Sequence, residues 1–332
     1  MIKLGKNSGD GHCRRRTGGR FLKRGLDIVR LTFVAVLVLA IALTAGCAEG
    51  NKTKVTETNG GEGASRDSRP VVLVPRADGT LIFEGTSSLI DASHLEDGYV
   101  MVKYTGDGRI KMQLTHDDQE PYTYDLPTSG VFQTFPLTSG NGHYTLNIYR
   151  NISGDKYAFV DGASFDVILK NEFTPFLHPS QYVDYTEETA AVAHSEILAQ
   201  GASDDLDVVK RIYYYVVNNI VYDMDKAKNV PSSYLPDLDD TLHTKRGICF
   251  DYAALMTAML RVQRIPTRLV IGYAGKDYHA WISVYTPETG WIDGIIHFDG
   301  KNWVLMDPTF AAGRGLADYI GDGSNYNALF YY

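Results

Sequence analysis

Apolar residues between positions 71 and 169 come in short runs, alternating with polar ones and broken by turn residues, which predicts strands rather than helices. Residues 71–74 open the series. Residues 99–104 and 110–114 flank Thr105-Gly106-Asp107-Gly108 and are expected to form a hairpin. Further strands are expected at 122–126, 131–137, 144–149 and 164–169, and the set predicts a β-sandwich over residues 70–172. The period then changes. Thr186 is a candidate helix cap, with Glu187 and Glu188 in the first turn. After Ser203, the residues Leu206, Val209, Tyr213, Val216 and Ile220 recur at helical steps and mark one buried face. A second helix begins at Cys249, carries Ala253, Met256, Met259 or Leu260, and Gln263, and stops before Ile265-Pro266. Strands follow at 267–273, 280–285 and 303–307. Helices feeding an antiparallel sheet predict an α+β domain over residues 180–332.

The first 46 residues obey different rules. Residues 1–30 are basic, residues 31–43 are almost wholly apolar, and Thr44-Ala45-Gly46 leads to Cys47. That is the order of a secretory signal, and the apolar run is short of the ~20 residues a full membrane span needs. Leu43-Thr44-Ala45-Gly46-Cys47 resembles the lipobox of bacterial lipoproteins, with Thr44 where Leu is commonest. The resemblance implies cleavage before Cys47, acylation of its sulfur, and a protein anchored by lipid at the outer face of the cytoplasmic membrane. Residues 47–69 are rich in Gly, Thr, Glu, Asn and Ser and are expected to be a flexible tether. Without residues 1–46 the chain keeps 23 basic and 38 acidic residues, a net charge of −15, which disfavours binding to nucleic acid or to an anionic membrane surface.

Cysteine usage points to chemistry. Three cysteines are present; Cys13 lies in the basic leader and Cys47 at the expected lipid site, so Cys249 has no partner. In an exported chain an odd cysteine is either a reactive thiol or an inert buried one. A thiol at a helix start favours the nucleophilic thiolate. Two histidines follow it, His279 in Tyr278-His279-Ala280-Trp281 and His297 between Asp293-Gly294 and Asp299-Gly300. The aromatic flank favours His279 as the base. A carboxylate is needed on its other ring nitrogen, and Asp307, Asp293 and Asp299 are the candidates, Asp307 foremost. Trp281 is expected to pack against the catalytic residues; Lys245 and Arg246 are expected to be solvated loop charges, the alternative being that they add positive potential near the thiol. His94, His116, His143 and His243 stand singly and suggest no site.

Four segments together, Gly247-Ile248-Cys249-Phe250-Asp251-Tyr252-Ala253, residues 264–273, His279-Ala280-Trp281 and residues 303–309, resemble the transglutaminase-like superfamily, with its papain-like Cys-His-Asp core. The resemblance covers about residues 185–312. It implies a nucleophilic Cys249, a base His279, an orienting Asp307 and a second oxyanion donor upstream, for which Tyr222 is the candidate beside the Cys249 N–H. The expected activity is acyl transfer from amide bonds of a peptide or protein, hydrolytic rather than cross-linking, with cell-wall or surface proteins as substrates by location. The rival is a non-catalytic binding or scaffold protein that keeps the fold. There is no Cys-x-x-Cys, His-Glu-x-x-His or glycine-rich phosphate loop, so neither metal nor cofactor is expected.

Overall fold

Strict alternation in the segment 110–116 puts Ile110, Met112, Leu114 and His116 inside and Lys111, Gln113 and Thr115 outward, and this strand is an interior strand of a sheet. The computed structural model describes residues 2–3, 65–293, 296–298, 303–305 and 326–332. Strands β1 (Ile2–Lys3), β9 (Lys156–Val167), β8 (Gly142–Ser153), β5 (Ile110–His116) and β6 (Tyr122–Leu126) form one antiparallel sheet in that order. A second contains β2 (Ile82–Glu84), β3 (Ser88–Asp91), β4 (Tyr99–Tyr104) and β7 (Gln133–Pro136). Ring contacts cross between the sheets, Tyr124 to Phe135 at 4.7 Å and Phe83 to Phe165 at 6.3 Å, so the expected sandwich is present.

Two local expectations fail for physical reasons. Strands β4 and β5 are not a hairpin: β4 is zipped between β3 and β7, β5 between β6 and β8, so neither has a free edge for the other. The Thr105–Gly108 turn instead carries the chain from one sheet to the other. Residues 71–74 form no strand, because their backbone is committed elsewhere. The Val71 N–H donates to the Val262 carbonyl at 2.8 Å, and the Leu73 carbonyl accepts from His178 Nδ1 at 3.1 Å.

The second module is built on one helix. Helices α1 (Ala190–Ala199), α2 (Asp205–Asn219), α3 (Met224–Asn229) and α4 (Leu238–Thr244) precede α5 (Cys249–Val262). Helices α1, α2 and α4 pack on α5, as does the sheet that contains β12 (Thr267–Ala274) and β13 (Asp277–Thr286). Strands β14 (Gly290–Asp293) and β17 (Tyr326–Tyr331) complete that sheet in the order β14-β13-β12-β17. Strands β10 (Val221–Tyr222) and β11 (Arg246–Gly247) pair in parallel, and β15 (Ile296–Phe298) with β16 (Trp303–Leu305) antiparallel. This is the expected α+β arrangement. The first helix begins at Ala190 after Thr189 rather than at Thr186, whose hydroxyl donates to Glu188 within a preceding turn.

Every residue of α5 from Asp251 to Val262 is buried, not one face only. Such a helix belongs at the centre of a core. Its one buried cation, Arg261, is 1% exposed. The guanidinium donates to the carbonyls of Thr267 (3.0 Å), His178 (2.7 Å) and Tyr332 (2.8 Å). Burial lowers its pKa to about 10, so it stays charged at neutral pH. One side chain thus ties the helix to β12, to the linker from the sandwich and to the last residue of the chain. Rings complete that junction: Tyr122 and Tyr124 of the sandwich meet Tyr332 at 5.4 and 5.7 Å, and Tyr124 meets Tyr182 at 5.4 Å.

The end of the expected tether is not free either. The Arg66 side chain bonds Asp205 and the Gln263 carbonyl, the Gln263 amide donates to the Ser68 carbonyl (2.8 Å), and Arg264 donates to the carbonyls of Arg69 (2.7 Å) and Asp67 (2.6 Å). Residues 65–69 are therefore clasped to the C-terminal end of α5, since their carbonyls find guanidinium and amide donors there. Of the expected leader only Ile2 and Lys3 are described, as β1 beside β9; Cys47 and the rest of residues 4–64 lie outside the described residues.

Replacing Arg261 by Met keeps volume but takes the guanidinium donor from the Thr267, His178 and Tyr332 carbonyls, of which Tyr332 keeps the Leu269 N–H. The expected loss is about 3–5 kcal/mol in urea unfolding of the full chain, and a loss below about 1 kcal/mol would show that the carbonyls find other partners.

Candidate active site

Cys249 occupies the first position of α5 and is half-buried. The first N–H groups of a helix have no intrahelical partner, and the preceding Ile248 side chain has no acceptor to offer them. What fixes the turn is Asp251. Its carboxylate, fully buried, reaches back to accept the Ile248 N–H at 2.7 Å. Gly247 is required beside it, since a Cβ there would stand 2.7 Å from the Asp251 Cβ.

His279 is presented by β13 opposite Gly272 of β12 and is 6% exposed. Its ring stacks on Trp281 at 6.2 Å and 23°, and Tyr326 of β17 meets both rings, at 6.4 Å for His279 and 5.1 Å for Trp281. Trp281 thus packs on the histidine as expected. The stack depends on Gly272: a Cβ there would lie 2.8 Å from the Trp281 ring and 2.1 Å from the Asn327 carbonyl. Cys249 and His279 line the same cavity, of about 400 Å³.

Tyr222 also lines that cavity. It reaches the site because β10 pairs with β11, setting Tyr222 level with Gly247, two residues before the thiol. The parallel pair is locked from outside by an ion pair, Arg246 Nε to Asp223 at 3.0 Å, which holds the Asp223 carboxyl down to about 2. Arg246 is therefore neutralised by Asp223, and Lys245 donates to the Tyr215 hydroxyl at 2.8 Å. Both side chains are thus engaged by partners other than the thiol.

Among the rival carboxylates, Asp293 lies on β14 and accepts from Ser283 Oγ at 2.8 Å, four residues along β13 from His279. At about 3.3 Å per residue that is too far to orient the ring. Asp307 and Asp299 lie outside the described residues, as does the side chain of His297. His94 sits between Asp78 and Asp97, His143 beside Asp166, and His116 is buried against Tyr144; none approaches the cavity.

Sequence reasoning missed Asp251, Gly272 and the aromatic lining. Asp251 had a local signal, an acidic residue three positions after the helix cap. Tyr182 and Tyr234, which line the cavity, come from separate segments and had none; Tyr278, which also lines it, was read only as part of the aromatic flank of His279. The Tyr278 phenol is raised by burial first, then by Tyr273 and by the nearby Cys249.

Residues 193–308 match the Transglutaminase-like superfamily. A protein-glutamine gamma-glutamyltransferase of Pseudomonas aeruginosa is 30% identical over 118 residues, 30% of this chain and 16% of the relative. The mouse kyphoscoliosis peptidase is 30% identical over 134 residues, 36% of this chain and 18% of the relative. The chain thus spans under a fifth of the length of these relatives. A cysteine protease candidate from Cytophaga hutchinsonii superposes with a TM-score of 0.36 at 16% identity, covering 76% of this chain and 83% of that one. Red sea bream transglutaminase gives 0.29 at 14% identity, covering 66% and 49%.

Gly272→Ala is expected to displace Trp281 and β17, with a red shift of tryptophan emission and a loss of about 1–3 kcal/mol in stability. Unchanged emission and stability would show that the His279 stack does not need the missing side chain.

Proposed function

Because residues 193–308 match the Transglutaminase-like superfamily, we propose that the protein is a cysteine acyl-transfer enzyme acting on amide bonds of peptides or proteins. The observation that carries the reading is the convergence of Cys249 and His279 on one cavity from a helix start and a strand. In this reading His279 takes the thiol proton, and the Cys249 sulfur attacks the amide carbonyl. The oxyanion that forms is met by the Cys249 N–H and by Tyr222. As the C–N bond breaks, His279 returns the proton to the leaving amine, and a thioester remains. Water, deprotonated by His279, then releases the acid and restores the thiol. Asp307 holds the other ring nitrogen and stabilises the imidazolium. Hydrolysis is preferred to cross-linking because water is always present, whereas a cross-linker needs a site for an acceptor amine.

A thiol-reactive probe on the full chain tests this. Labelling of Cys249 at pH 6 faster than a free thiol, lost in His279→Ala and reduced about tenfold or more in Asp307→Asn, is the expected outcome. A rate equal to that of a free thiol and indifferent to both substitutions would leave a scaffold that merely retains the fold.

The same proposal sets the protein outside the cell membrane, anchored through an acylated Cys47, with wall or surface peptides as substrates. The basic and apolar leader ending in Leu43-Thr44-Ala45-Gly46-Cys47 supports it. Mass spectrometry of protein purified from a bacterial host is expected to find a chain that starts at a diacylated Cys47. Residues 1–46 still attached, or an unmodified thiol at 47, would sink the anchor.

A further inference from the structure

One wall of the cavity is held in an unusual way. Ala227, Val230, Pro231, Ser232 and Tyr234 all line it, and all come from the segment between the Asp223 cap of α3 and Pro236. No residue of α3 is buried, and Met224 (59%) and Leu235 (38%) are exposed. Apolar burial therefore does little to hold this segment down, and stretches held mainly by polar bonds open locally at low cost. What holds it are bonds to one carboxylate. Asp251 Oδ2 takes the Lys226 ammonium at 2.9 Å, and Asp251 Oδ1 accepts the Tyr234 hydroxyl. Lys226 also lies over the Tyr234 ring at 4.5 Å, and that ring meets Phe250 edge-on at 6.4 Å. The same Asp251 Oδ2 accepts the Ile248 N–H that sets the start of α5. One buried group thus joins the nucleophile's helix to both ends of the movable wall.

We infer that residues 224–235 are a specificity-determining wall for the acyl donor, held shut through Asp251 by Lys226 and Tyr234. The inference rests on the proposed cysteine chemistry. An extended peptide donor lies against Val230 and Pro231, so the wall contributes binding that a small reagent does not use. Asp251, Lys226 and Tyr234 are positioning residues in this scheme: they act on the wall, and Asp251 also on the helix turn. Loss of a wall contact weakens peptide binding while leaving the intrinsic reactivity of the sulfur.

The experiment uses the full chain with Lys226→Met and Tyr234→Phe, which spare the bond from Asp251 to Ile248. Cys249 is alkylated in parallel with iodoacetamide and with a peptidyl acyloxymethyl ketone, and amide hydrogen exchange is followed by mass spectrometry. The expected result is an iodoacetamide rate within about twofold of wild type and half-saturation by the peptidyl reagent raised about tenfold. Exchange at residues 224–235 is expected to accelerate about tenfold in both variants. Unchanged exchange there, or an equal slowing with both reagents, overturns the inference. A wild-type Cys249 no more reactive than a free thiol counts against the enzymatic reading instead, and the exchange result then still decides whether the wall is held through Asp251.

Discussion

A helix buried on every side from Asp251 to Val262 leaves little water for its polar groups, and α5 meets that constraint with two side chains, Asp251 and Arg261. At its start, Asp251 accepts the Ile248 N–H and collects Lys226 and Tyr234. At its finish, Arg261 donates to three carbonyls from three separate parts of the chain. A lone ion in an apolar core is costly, and dense hydrogen bonding is what makes it tolerable. Both groups are also structural hubs, since they collect partners from outside the helix. The placing of Cys249 at the head of this helix is therefore not a matter of the segment from Gly247 to Ala253 alone. It depends on a frame that runs to the last residue of the chain, Tyr332, and back into the sandwich.

The two halves of the candidate site differ in how they are fixed. The thiol is positioned by polar bonds around a helix start. The imidazole is positioned by shape: Trp281 and Tyr326 stack around it, and Gly272 leaves the space they need. Shape-fixed positions are unforgiving, because close-packed interiors do not yield to an added methyl group. Bond-fixed positions fail differently, by opening.

Much of this was legible beforehand wherever a local rule applied. The β5 alternation, the α2 face and the stop before Pro266 follow from period and from proline chemistry. The order of Cys249, His279 and their neighbours pointed to the superfamily that residues 193–308 match. The failures have a common cause. The segment 71–74 has the composition of a strand, and residues 65–69 that of a loose tether, yet both are claimed by donors and acceptors near the far end of α5, some 190 residues away. The Thr105–Gly108 turn has hairpin chemistry, but whether a turn closes a hairpin depends on which edges other strands have taken. Lys226 and Tyr234 had no local signal at all, because their partner is a carboxylate on another helix.

The clasp on residues 65–69 has a mechanical consequence. With fourteen residues at ~1.5 Å each, α5 is about 21 Å long. Its sulfur is at one pole and the clasp at the other. Tension arriving along the preceding chain would be taken up in shear by Arg66, Gln263 and Arg264, at the pole remote from the cleft, before any load reached the thiol.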